Sequence, residues 1–156
     1  MKQFLLYFLI AIFSIFIGSQ ITEGVLLLPY WQSLSSADFY SYYSEFGSSI
    51  GLFYTVLTII AAIIPIVLAI YCWLTNSTAF RFALISSFFA ILFVSSFYLY
   101  FKDTNDLFYQ SALSDIALKK ELITWSYCHW GKVVTEVLSL IFLILSLSKL
   151  QNNHVN

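Results

Sequence analysis

Charge is what this sequence has least of. Only 10% of its 156 residues are Asp, Glu, Lys or Arg, against roughly 25% in an ordinary soluble domain. A water-borne globule of this size could not cover its surface with so few ionic groups, so lipid is the expected solvent for most of it. Seven basic and eight acidic side chains leave a formal net charge of -1, which excludes the basic face that a nucleic-acid partner requires. Phosphate-cradling glycine loops, Cys-x-x-Cys pairs and His-Glu-x-x-His motifs are all missing. The two cysteines, Cys72 and Cys128, fall near opposite membrane faces in the topology below. Distance excludes a bridge between them, and both read as packing residues.

Apolar residues are abundant: 60% of the chain is hydrophobic and 20% aromatic. A spanning helix needs about 20 apolar residues, and four segments qualify: 4–28, 48–74, 80–101 and 123–147. The expected fold is all-α, a transmembrane four-helix bundle forming one domain over residues 1–156. Pro65 is expected to kink or loosen the second span. Lys2, the apolar run behind it and Gly18-Ser19 have the outline of a cleavable signal peptide. The apolar pattern resumes from Val25 to Leu28, as a retained span requires.

Asn76-Ser77-Thr78 makes a short turn between the second and third spans. The connections 29–47 and 102–124 are long and share a face. Lys2, Arg81 and Lys149 mark the other face, against Lys102, Lys119 and Lys120, so the positive-inside rule is nearly balanced. Both termini are expected in the cytoplasm, in a plasma or bacterial inner membrane. Short interfacial helices are expected in both long connections. Ser35 or Ser36 suits an N-cap and Asp38 the first turn. Phe39, Tyr42, Tyr43 and Phe46 then repeat at i, i+3, i+4, i+7, as either an interfacial aromatic belt or a lid over a cavity.

The most informative pattern is on the fourth span. Trp125, His129, Lys132 and Glu136 are spaced 4, 3, 4, which puts them on one face of an otherwise apolar helix. Glu136 lies about 20 Å along the helix from Ile123, too deep for its short side chain to reach water. It must be paired, protonated or wetted, and Lys132 one turn away is the first partner. Gln20 and Glu23 on the first span lie at matching depth, with Gly18 and Gly24 permitting close approach. Ser48, Ser49, Tyr54, Thr55, Thr58, Ser95, Ser96 and Tyr98 add hydroxyls at the same end. Together they outline a pocket open towards the long-loop side. The alternative is purely structural: an intrahelical Lys132–Glu136 pair, with Gln20 and Glu23 joining two helices. The spacing of Glu23, His129 and Glu136 does not call for a metal. His129 is the one intramembrane residue that could ligate haem. Neither metal nor cofactor is expected.

The run Gly18-Ser19-Gln20-Ile21-Thr22-Glu23-Gly24 is followed by Leu28-Pro29-Tyr30-Trp31 and by Leu34-Ser35 to Phe39. With Trp125-x3-His129-x2-Lys132 opening the last helix, the chain resembles the small four-helix membrane proteins grouped with anthrone oxygenases. The resemblance covers most of the chain and implies a four-helix bundle. It also implies a cofactor-free oxygenase acting on a reduced polycyclic aromatic. His129 would be the base, Lys132 the oxyanion stabiliser, Trp125 or Trp31 a stacking wall, and Glu23 or Glu136 the group setting their protonation.

The candidate catalytic residues are therefore His129, Lys132 and Glu136. The candidate ligand-binding residues are Gln20, Glu23, Trp31 and Trp125. Three functional readings stand at this point: a pocket for a small lipophilic molecule, a cofactor-free membrane oxidoreductase, and a structural or accessory membrane subunit. The lipid bilayer is the common partner in all three.

Overall fold

The computed structural model describes residues 3–152. Lys2, expected to mark one face, lies outside them. Four rods of helix make the bundle. The first is α1 (Gln3–Thr22), which passes through a wide π turn (Glu23–Leu27) into α2 (Leu28–Ser33). The second is α3 (Ser36–Leu74). The third is α4 (Phe80–Ser96), a second π turn (Phe97–Phe101) and α5 (Lys102–Tyr109), and the fourth is α6 (Asp115–Asn152). Each rod contains a stretch long and apolar enough to cross a bilayer, so the chain is an all-α multi-pass membrane bundle. An even number of crossings brings residues 3 and 152 to the same face.

The helices outrun the expected spans. The interfacial helix expected after Ser35 is not a separate piece, because α3 runs unbroken from Ser36 to Leu74. Ser35 caps it, accepting from the Asp38 backbone N–H at 3.2 Å and donating its hydroxyl to Asp38 Oδ2 at 2.6 Å. Gly47 costs only about 1 kcal/mol inside a helix, too little to break one whose Phe39 and Tyr43 are buried. The helix also continues across Pro65. A neighbouring hydroxyl, Ser87, donates to the Pro65 carbonyl at 2.8 Å. Asn76 and Ser111 end helices in the left-handed region, at φ 49° and 50°. Six-to-one bonds from Ser77 N–H to Cys72 O and from Ala112 N–H to Leu107 O close both ends.

Each π turn re-phases its rod. Beyond the first, Leu28 and Trp31 return to the interior; at the end of the second Phe101 does, followed by Thr104 and Phe108. Pro29 gives the first turn a physical cause, since it has no N–H and its ring crowds the carbonyl four residues back. There, the Leu28 N–H bonds to the Glu23 carbonyl, five residues back.

The interior has two apolar clusters. One, at the short-turn end, includes Phe13, Phe16, Leu68, Phe93, Leu143 and Leu147. Small residues Ala61, Ala83, Ser86, Ala90 and Ser139 let helices approach closely there. The other, at the long-loop end, includes Trp31, Phe39, Tyr43, Phe101, Phe108 and Trp125. Gln20, Glu23, His129 and Glu136 form a buried polar layer between the two.

Candidate functional site

The polar stripe of α6 turns inward as its spacing requires. Trp125 and His129 are buried, Glu136 is 0% exposed, and the Lys132 side chain is 15% exposed. Lys132 Nζ lies 3.9 Å from Glu136 Oε1 and 5.3 Å from the centroid of the Phe101 ring. Neither Glu136 oxygen has a hydrogen-bond partner among the described residues.

The first span meets this stripe at its π turn. His129 Nε2 bonds to the Gln20 backbone carbonyl at 3.0 Å. A carbonyl only accepts, so Nε2 carries the proton. His129 Nδ1 then faces Glu23 Oε2 at 3.7 Å. The imidazole stacks on Trp125, with centroids 5.2 Å apart and planes 10° apart. Trp125 donates its indole N–H to Asn105 Oδ1 at 3.3 Å and meets Trp31 edge-on at 5.6 Å. The Gln20 side-chain amide is buried without a partner among the described residues.

Gly24 makes this approach possible. A β-carbon there would stand 2.7 Å from the Trp130 ring and 3.1 Å from His129 Nε2. Gly18 plays no such part, since nothing lies within 4 Å of the equivalent atom.

Beside the polar layer lies a cavity of about 320 Å3, between the second and third spans. Its inner wall carries Glu23, Trp31, Trp125, Lys132 and Phe101. Glu23, Trp31, Trp125 and Lys132 were legible as candidates from sequence. His129, Gln20 and Glu136 lie behind this wall rather than on it. The α3 side is a face of small residues that sequence reading took only in part: Gly47, Gly51, Thr55, Thr58 and Ala62. Their spacing of 4, 4, 3, 4 is a helical groove, and that periodicity was the signal available. Asn105 and Tyr109 also line the cavity. They were missed because their segment reads as a connection.

The cavity reaches the long-loop end, where Asn105 and Tyr109 line it. Phe39 and Tyr43 pack on Phe108 at 5.2 and 5.4 Å, and Tyr109 on Tyr43 at 4.8 Å. Of the aromatic stripe, Phe39 and Tyr43 are buried in the apolar cluster while Phe46 stays exposed. The exposed part of the wall lies on the second and third spans: Ile59 is 53% exposed, Ile63 52% and Tyr98 68%. Ile59 lies about 22 Å along α3 from Leu74, inside the hydrocarbon layer.

Among the described residues, no group of three or more His, Cys, Asp or Glu is placed to hold a metal ion. Cys72 and Cys128 are both free thiols. No family model, no curated protein and no solved structure matches this chain.

Proposed function

We propose that this protein binds a small, planar aromatic lipophile inside the membrane, taken up sideways from the bilayer between the second and third spans. The observation that carries the reading is the cavity itself. Its volume of about 320 Å3 is at the lower end of the range for small-molecule pockets. Its walls are mostly aromatic and apolar, with a few polar groups at the inner end, the usual constitution of such a site. Trp31, Tyr43, Phe97, Phe101 and Trp125 offer ring faces and edges to a flat ligand. Lys132 and Glu23 supply the orienting charge.

The test is direct. Full-length protein purified in mild detergent is extracted with organic solvent, and the extract is analysed for ring-absorbing compounds by mass spectrometry. A Thr58→Phe variant, which fills the groove side of the cavity, is treated identically. The reading expects an aromatic compound near one per protein in the wild type, and its loss in the variant at unchanged helix content. It also expects saturable binding of added 2-methyl-1,4-naphthoquinone to wild-type protein in nanodiscs. If the extracts carry no aromatic compound and the binding does not saturate, the reading fails.

A second reading is favoured by one arrangement, a cavity-wall carboxylate with a histidine behind it and an ammonium beside it. These are the parts needed for the oxygenase chemistry that the family resemblance implies. An anthrone-type CH2 would lose a proton to Glu23, with His129 Nδ1 behind it as relay. Lys132 would sit against the developing oxyanion. The carbanion would react with O2 to a hydroperoxide, which loses water to leave the ketone. Membranes containing the protein should then consume O2 with an anthrone, and Glu23→Gln should lower the rate at least about ten-fold. Equal uptake by membranes lacking the protein would remove this reading and leave the first in place.

A further inference from the structure

Glu23 and His129 face each other as two acceptors. His129 Nε2 directs its proton to the Gln20 carbonyl at 3.0 Å, so in the neutral ring Nδ1 is a bare lone pair. That lone pair lies 3.7 Å from Glu23 Oε2, and an ionised carboxylate also only accepts. The two therefore need one proton between them. It sits either on Nδ1, as an imidazolium, or on Oε2, as a carboxyl pointing at Nδ1. His129 is 0% exposed and its Nδ1 is buried behind the cavity wall, so this proton lies on the side away from the cavity. In both arrangements the other Glu23 oxygen keeps its lone pairs.

That oxygen is the one left for the cavity. Glu23 is only 5% exposed, yet it lines the cavity wall. Its carboxylate accepts no hydrogen bond from any described residue. Donors on the same wall are directed elsewhere. Tyr54 donates to the Ser19 carbonyl at 3.3 Å, Trp125 donates to Asn105 Oδ1 at 3.3 Å, and Lys132 Nζ lies 3.9 Å from Glu136.

A buried acceptor left without a donor costs about 1–3 kcal/mol. We propose that a hydroxyl on the bound aromatic ligand donates its O–H to Glu23, so that the cavity takes a phenol-type ring in preference to the same ring capped as an ether. This rests on the lipophile-binding reading above. The hydroxyl oxygen keeps lone pairs for Lys132 on the same wall. An aryl ether of nearly the same shape also has an oxygen for Lys132, but it has no proton for Glu23. Sites that hydrogen-bond a ligand hydroxyl reject the analogue lacking it far more strongly than they reject a change of shape.

The test uses 2-naphthol, 2-methoxynaphthalene and 2-methyl-1,4-naphthoquinone, each radiolabelled. Each is equilibrated with full-length protein in phosphatidylcholine nanodiscs, and empty nanodiscs give its partition into lipid, for which the binding is corrected. 2-Naphthol is expected to bind about ten-fold more tightly than its methyl ether, the equivalent of one good hydrogen bond. Glu23→Leu should bring that ratio close to one. Adding 2-naphthol to the wild-type protein should also shift a carboxyl or carboxylate infrared band, while the ether should not, a readout that does not depend on the variant folding. Equal, saturable affinity for naphthol and ether in the wild type overturns the hydroxyl preference while the binding reading stands. Saturable binding of none of the three compounds overturns both. A ratio unchanged in folded Glu23→Leu, or no infrared shift where that variant does not fold by circular dichroism, overturns the assignment to Glu23.

Discussion

His129 Nε2 sits 3.0 Å from the backbone carbonyl oxygen of Gln20, a residue 109 positions earlier in the chain. This one bond ties the fourth span to the first beside a π turn, fixes the tautomer of the ring, and turns Nδ1 towards Glu23. A main-chain acceptor cannot be removed by mutation, so the histidine is the partner to change. His129→Phe keeps the ring shape against Trp125 but leaves the Gln20 carbonyl and Glu23 without it. It should cost about 1–3 kcal/mol, the penalty for leaving a buried polar group unsatisfied. His129→Gln can donate from its amide and should recover part of that loss. Unfolding of the purified protein in mixed micelles, followed by circular dichroism, measures both. Equal stability of the two variants would show that the bond contributes nothing.

Much of this architecture was legible before any coordinates. The four spans follow from apolar length alone. The inward face of α6 follows from the spacing of Trp125, His129, Lys132 and Glu136, because a carboxylate as deep as Glu136 has nowhere else to point. What was not legible depends on contacts rather than pattern. The sequence Phe97-Tyr98-Leu99-Tyr100-Phe101 has no feature that demands a π turn. It forms where the rod must re-phase to bury Phe101 and Phe108. Gln20 was read as a side-chain contact, yet it is its main chain that meets His129. The packing of Phe39 and Tyr43 on Phe108 could not be foreseen either, because it joins segments read as separate connections.

Gly24 and Gly18 make a matched pair for a packing test. Gly24→Ala drives a methyl to within 2.7 Å of Trp130 and 3.1 Å of His129 Nε2, and overpacking of this kind costs about 1–3 kcal/mol. Gly18→Ala meets nothing within 4 Å and should stabilise the helix by up to about 1 kcal/mol. Trp130 is 38% exposed, so its side chain has room to give way, and Trp130→Ala should rescue much of the Gly24→Ala defect. The same mixed-micelle unfolding checks all three. A Gly24→Ala protein as stable as wild type would mean the two helices do not approach as closely as described.

Lys132 and Glu136 separate a binding role from a purely structural one. Removing one member of a buried pair typically costs about 3–5 kcal/mol because the other charge is stranded. Replacing both with apolar residues of similar volume is often neutral. Glu136→Leu alone should therefore destabilise clearly, while Lys132→Met with Glu136→Leu should unfold close to wild type. If the pair exists only to hold the helix, the double variant keeps whatever activity the protein has. If Lys132 orients a ligand, the double variant is stable but retains less of the labelled quinone. A double variant that is stable and binds normally would take Lys132 out of the site.

Ser86 and Ser139 offer a control far from the cavity. Ser86 Oγ donates to the Ser139 carbonyl at 2.7 Å, and Ser139 Oγ donates to the Ser86 carbonyl at 2.9 Å. Both residues are fully buried where the third and fourth spans pack most extensively. Interhelical hydrogen bonds in membranes average about 0.6 kcal/mol, so each Ser→Ala change should cost little. Their hydroxyls are 3.3 Å apart, which makes the pair close enough to couple. The double Ser→Ala variant should then depart from additivity by about 0.5 kcal/mol or more. Size matters more than polarity at this contact. Ser86→Leu has no space between the two helices and should cost about 1–3 kcal/mol through overpacking. None of these changes touches the cavity wall, so quinone retention should follow the folded fraction alone. A Ser86→Ala protein that folds fully but no longer retains the ligand would mean that the two ends of the bundle are coupled, which nothing in the packing of the two clusters predicts.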